Sequence, residues 1–280
     1  MTQAELRDFL RAARARVRPD AASALGDDTL TRTRRVKGLR REEVARIAGV
    51  SVDYYTRLEQ GRAGAPSSVV LTGVARALRL DPAEQAYFFA LAGDAPAVST
   101  ETVSPPQRVR PGVHKMMAAM TDSPAFVHGV GLQVLAMNDL ARKVFFDAEA
   151  LPFRERNLAR FTFLDPVARE RYVDWEESAA TTAAVLRADA GLHPDDRALH
   201  ELVGELSVRS PEFAGLWAEH RVHDCTWGTK RLRHPLVGEL DLTWEALDVP
   251  GAAGQKLKVY TAEPGSPAAD ALRLIGAWQG

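Results

Sequence analysis

The stretch RREEVARIAGVSVDYYTRLEQG, residues 40–61, decides how this chain is read. Val44, Ala45, Ile47 and Ala48 fall on one side of a helix over 40–48, and Gly49 supplies the positive φ that ends it. Ser51 stands where a hydroxyl can accept an orphan backbone N–H, so a second helix runs to Gln60 before Gly61 closes it. Ala45 is small where two helices must cross closely, and Val50, Tyr55 and Leu58 pack beneath the second helix. Val52, Asp53, Thr56, Arg57 and Gln60 are left on one outward stripe.

Upstream, Leu6, Leu10 and Ala13 recur at helical spacing over 4–18 until Pro19, and a Gly/Asp/Thr-rich connection carries Arg32, Arg34, Arg35 and Lys37 to Gly38. Downstream, Ser67 and Ser68 precede a helix with Val70, Leu71, Val74 and Leu78. Asp81-Pro82 starts another with Phe88, Phe89 and Leu91 facing inward. These five helices predict an all-α domain over residues 1–93. Residues 94–111 hold four prolines among Ser and Thr with little periodicity, the composition of a linker, and leave 112–280 as a second domain.

With 280 residues, 46% of them apolar, the chain can bury two cores. No apolar run reaches membrane-spanning length and residues 1–13 do not read as a signal peptide, so no membrane partner and a cytoplasmic location are expected. Cys225 alone permits neither an internal disulfide nor a thiolate metal cluster; His220, His223 and Cys225 lack a complete ligand spacing, so no metal is expected. Nucleophile elbow, phosphate-binding glycine loop and H-E-x-x-H motif are all missing, and neither an enzyme nor a cofactor is expected.

The net charge of -1 conceals an asymmetry. Residues 1–93 carry 16 Lys/Arg against 11 Asp/Glu, residues 94–280 carry 20 against 26, and 30–62 alone hold nine basic and four acidic residues. A basic patch lying on the 40–61 helix pair is what a polyanion requires.

The pair has the layout of a helix-turn-helix, and across roughly 4–93 the sequence resembles the XRE family of Cro- and phage-repressor-like domains. The resemblance implies a lambda-repressor-like fold and double-stranded operator DNA as partner. It places Val52, Asp53 and Arg57 at base-reading positions, with Arg57 on guanine and Val52 against a thymine methyl. Arg41, where the family usually has Gln, and Tyr54 would take phosphates; Arg40 and Arg62 complete the DNA-contact set. Asp53 has two readings, acceptor from a cytosine amino group or a charge that rejects wrong sequences or caps the helix. Arg32, Arg34, Arg35 and Lys37 are an arm reaching a flanking groove or a solvated loop. Glu59 is read as holding the next loop.

The second domain reads as α+β. Apolar runs at 125–129 and 131–137 make a hairpin, followed by a helix over 138–146. A long helix is expected over 169–190, with Tyr172, Trp175, Ala179, Thr182 and Leu186 on one stripe, then helices over 196–206 and 211–220. Strands follow over 228–234, around Leu240, Leu242 and Trp244, and at Leu257 and Val259, before a closing helix over 268–278. Their alternation implies an antiparallel sheet with one covered face and helices gathered on one side.

The 40–61 tract, followed in order by RERN (154–157), DWEESA (174–179), VGELSVRSPEFAGLW (203–217), GTKRLRHPLVGEL (228–240) and YTAEPGSPAADALRLI (260–275), resembles the MmyB-like regulators over almost the full length. That resemblance implies a PAS-like second domain binding a small apolar, fatty-acid-like ligand. Candidate lining residues are Phe126, Leu135, Met137, Phe145, Phe161, Trp175 and Trp217, which are also ordinary core candidates. Arg156, Asn157 and His234 are candidate head-group anchors, against a plainer reading in which Arg156 pairs with Asp174. The expectation is a homodimeric, ligand-responsive DNA-binding regulator. The alternative makes the helix-turn-helix a partner-docking module and the second domain a carrier or enzyme; duplex affinity and its salt dependence separate the two.

Overall fold

In the computed structural model the first five helices are α1 (Gln3–Arg16), α2 (Arg41–Ala48), α3 (Val52–Glu59), α4 (Ser68–Ala77) and α5 (Pro82–Leu91). The structure describes residues 3–18, 38–64, 66–93, 108–222 and 226–278. The run Arg32, Arg34, Arg35 and Lys37, residues 94–107 of the expected linker, and His223 and Cys225 lie outside them. The chain divides into two compact units, Met1–Thr100 with Gly191–Asp195 and Ala218–His223, and Glu101–Ala190 with Asp196–Trp217 and Asp224–Gly280.

Local chemistry sets the helix ends in the first unit. Gly49 adopts φ 73° after α2, Ser51 Oγ accepts the Tyr54 N–H at 3.1 Å, and Asp81 and Glu84 cap α5 reciprocally. Phe9, Leu10, Val44, Ala45, Tyr55, Leu58, Leu71, Val74 and Phe88 are buried together as its core. On α5, Tyr87 is buried beside Phe88, whereas Phe89 and Leu91, expected inside, are only half-buried. Gly73 allows α4 to approach α2 closely: a Cβ there would stand 2.6 Å from the Ala48 carbonyl oxygen.

The second unit is α+β. Its elements are α6 (Pro111–Ala119), β1 (Ala125–His128), β2 (Val134–Met137), α7 (Asp139–Val144), α8 (Leu158–Leu164), α9 (Pro166–Arg171), α10 (Trp175–Leu192), α11 (Arg197–Arg209), α12 (Pro211–Ala218), β3 (Trp227–His234), β4 (Gly238–Asp248), β5 (Lys256–Thr261) and α13 (Pro267–Ala277). The five strands are antiparallel in the order β2-β1-β5-β4-β3, so the first and last strands meet at the centre. Phe126, Leu232, Leu240, Leu242, Trp244 and Tyr260 on one face pack with Leu140 and Val144 of α7 and Leu272 and Ile275 of α13.

Two expectations need correction. Residues 169–190 do not form one helix: Tyr172 pairs with Leu232, the Val173 N–H donates to the Arg231 carbonyl at 3.2 Å, and the chain restarts as α10. The free edge of β3 recruits the segment, which periodicity alone does not register. Helices also cover both faces of the sheet, because α6 sets Val113 and Met117 against Ala125, Val127, Ala136 and Leu257 on the face opposite α7 and α13.

Candidate functional site

Helix α3 separates its two sides cleanly. Tyr55, Leu58 and Glu59 are buried, while Val52 (48% exposed), Asp53 and Arg57 face solvent; Tyr54, Thr56 and Gln60 are half-buried. The Thr56 hydroxyl donates to the Val52 carbonyl at 2.7 Å, so it is already engaged on the stripe. Arg62 lies exposed just beyond the helix, and Arg40 is half-buried at the start of α2 with a guanidinium nitrogen 3.6 Å from Glu42.

What holds α3 in place is Glu59. It does not hold the following loop, as the sequence suggested, but faces inward against three arginines. Arg14 of α1 donates to it at 3.0 and 3.3 Å, Arg41 of α2 at 2.9 and 3.2 Å, and Arg11 stands 3.6 Å away. Burial alone would push the Glu59 carboxyl up, but the hydrogen bonds from Arg41 and Arg14 outweigh it and hold the group below the usual carboxylate range. The same hydrogen bond raises the Arg41 guanidinium above its ordinary value. Arg14 also donates to the Leu39 carbonyl at 2.9 Å, tying α1 to the entry of α2. Arg41 therefore has its guanidinium turned onto Glu59 through Nε and one terminal nitrogen, with the side chain half-exposed at the surface.

In the second unit, Phe126, Met137, Phe145 and Phe161 lie in one core cluster with Trp175 packed against it. Ring centroids of Phe126 and Phe145 are 6.0 Å apart, of Phe145 and Tyr260 4.7 Å, and of Phe146 and Phe161 4.3 Å. The Lys258 ammonium sits 3.4 Å above the Trp244 ring at the edge of this cluster. Leu135 packs on the opposite sheet face, and Trp217 belongs to the separate cluster among α8, α10, α11 and α12.

The three candidate anchors bond to backbone. Arg156 donates to the Leu151 and Glu149 carbonyls, and Asp174 pairs not with it but with Arg231, at 2.5 and 2.7 Å. Asn157 caps α8 through Oδ1 and donates to the Gly131 carbonyl at 2.7 Å. His234 Nδ1 accepts from the Leu236 N–H, which leaves Nε2–H to donate to the Lys143 carbonyl at 3.2 Å; burial lowers the ring's pKa, consistent with a neutral imidazole. A cavity of about 490 Å³ opens on the other sheet face, between α6 and the end of β4.

A helical domain with one polar recognition-helix face, joined to an α+β domain, defines a helix-turn-helix regulator carrying a second, ligand-binding domain. Residues 5–88 match the family described as helix-turn-helix domain, and residues 109–275 match that described as MmyB-like transcription regulator ligand binding domain. The second match spans more than half of the chain, which belongs to the MmyB-like transcription regulators. No curated protein matches it.

Proposed function

We propose that this regulator binds a two-half-site operator as a homodimer, with α3 in the major groove and residues 94–111 linking domain 1–93 to domain 112–280. Arg57, Val52 and Asp53 read base edges; Arg40, Arg41, Tyr54 and Arg62 take phosphates. The observation that carries the reading is the division of α3 into a buried side anchored by Glu59 and an exposed side bearing Val52, Asp53 and Arg57. One such helix reads only a few base pairs, so useful specificity requires a second copy.

The second domain takes a small apolar, fatty-acid-like molecule among Phe126, Met137, Phe145 and Phe161, and the protein works by binding in the cytoplasm rather than by catalysis. The aromatic cluster on the sheet face covered by α7 and α13 supports this, with Lys258 beside it to receive an anionic head. Selection from random duplexes tests the DNA reading: a motif should emerge, and Arg57→Ala should relax preference at the guanine position. A pool that stays random after selection refutes it. Native mass spectrometry of protein purified from its host tests the ligand; a mass equal to the bare chain in every extract removes that part.

A further inference from the structure

Glu59 draws three guanidiniums together and hydrogen-bonds only two of them. Its Oε2 accepts from Arg14 Nε at 3.0 Å, and its Oε1 accepts from Arg14 Nη2 at 3.3 Å and from Arg41 Nε and Nη2 at 3.2 and 2.9 Å. A carboxylate offers about four lone-pair sites, so these bonds exhaust it. Arg11, one turn before Arg14 on α1, has its Nε 3.6 Å from the same Oε1, held by charge alone. The carboxylates closest in sequence are engaged elsewhere: Asp8 accepts from Arg7 at 2.9 Å, Glu42 lies 3.6 Å from Arg40, and Glu43 accepts the Arg40 backbone N–H. Three positive charges against one negative leave the cluster with a positive excess. Exposure divides it as well. Arg14 is 16% exposed, whereas the side chains of Arg41 and Arg11 are 40% and 51% exposed.

We propose that Arg11 binds a backbone phosphate of the operator beside Arg41, as a DNA contact contributed by α1 from outside the helix-turn-helix. The inference rests on the operator-binding reading and adds a contact to it. Arg41 and Arg11 meet the same carboxylate oxygen, so a strand whose phosphate reaches Arg41 brings its anionic oxygens within range of Arg11. Glu59 sets this geometry from a fully buried position: it holds the two arginines side by side at the surface without facing the DNA itself. A phosphate supplies what the cluster lacks, a second negative charge and acceptor oxygens that the guanidinium fork fits. Like charges gathered this closely repel one another, and the arriving anion relieves that repulsion. Such a contact bears on the backbone, so it strengthens all duplexes alike and fixes how the domain sits on the strand. Nothing in the sequence sets Arg11 apart from Arg7, Arg14 and Arg16 of the same helix; the distinction comes from Glu59, far along the chain.

Titration of the full chain with a selected duplex and its scrambled counterpart, at several salt concentrations, is the test. Arg11→Gln should weaken both by the same factor, about five- to tenfold, and make the slope of log K against log salt shallower by about 0.9, the value for one phosphate. Arg11→Lys, which keeps the charge, should retain the slope. Arg197→Gln, at a 91% exposed arginine of α11, should keep the wild-type slope too. A wild-type slope in Arg11→Gln, with only a lowered melting midpoint, makes Arg11 a structural member of the Glu59 cluster and overturns the proposal. So does an equal change in Arg197→Gln, which would make net charge sufficient. If Arg11→Gln fails to fold by circular dichroism, phenylglyoxal labelling of the wild type decides: the duplex should protect Arg11, and equal labelling with and without DNA overturns the proposal. A wild type with no affinity for either duplex removes the regulator reading and this contact together, whereas a wild type that binds, with Arg11→Gln indistinguishable from it, removes the contact alone.

Discussion

Glu59 is shut off from water yet charged, and that is tolerable because Arg14 and Arg41 approach from two different helices. Glu59→Ala should cost about 2 kcal/mol, below the range for fully buried pairs because Arg41 is partly solvated. Urea unfolding of the first domain measures it. Since the folded carboxyl lies below 4.5, its contribution is full above that pH and fades as the pH falls further. His128 titrates in a different window. Burial, helped by Lys258 and Lys256, pulls its ring down to about 4 from 6.5, so the unfolded chain takes up a proton that the folded domain refuses. The second domain should therefore lose about 2 kcal/mol from this group between pH 7.5 and pH 5. His128→Leu should flatten that share of the pH dependence; an unaltered slope would show that the ring does not titrate as its surroundings dictate.

Between elements, one missing Cβ sets how closely α4 meets α2. Gly73→Ala would drive a methyl into the Ala48 carbonyl, a backbone atom that cannot swing aside, and should destabilise the first domain by about 1–3 kcal/mol in a thermal or urea melt. On α3, Arg57→Ala should remove about 1–3 kcal/mol of discrimination at one base pair. Arg40→Ala should instead weaken all duplexes alike and flatten the salt dependence by about one phosphate, both read by titration at several salt concentrations. Much of this was legible beforehand because it is written locally. Gly49, Ser51 and the spacing of Val44, Tyr55 and Leu58 locate the two helices, and alternation along Leu240, Leu242 and Trp244 gives the covered face of β4. What stayed hidden depends on partners remote in sequence. Nothing near Glu59 announces Arg14, 45 positions earlier, and nothing near Asp174 announces Arg231, 57 positions later. The stripe over 169–190 likewise continues through Tyr172, where an open strand edge captures the backbone. Leu135 reads together with the other apolar candidates because a short strand buried on both faces shows no alternation that would separate them.

Across the whole molecule, each unit has its own hydrophobic core, so unfolding should proceed in two transitions rather than one. That separation makes ligand binding measurable without knowing the operator. A molecule bound only by the folded second domain stabilises it by RT ln(1 + [L]/Kd), about 2.7 kcal/mol at a hundredfold excess over Kd. For a domain of this size that lifts a midpoint by roughly 5–10 °C. Saturated fatty acids of increasing chain length, followed by calorimetry, should raise the transition of the second domain and leave the other unmoved. The gain should grow with each methylene until the aromatic enclosure is filled, because each buried CH₂ contributes about 0.8 kcal/mol. A shift that appears equally in both transitions would mark nonspecific, detergent-like binding. No shift at any chain length would mean that Phe126, Phe145 and Phe161 are simply core, leaving the family's sensing role to a ligand of different chemistry.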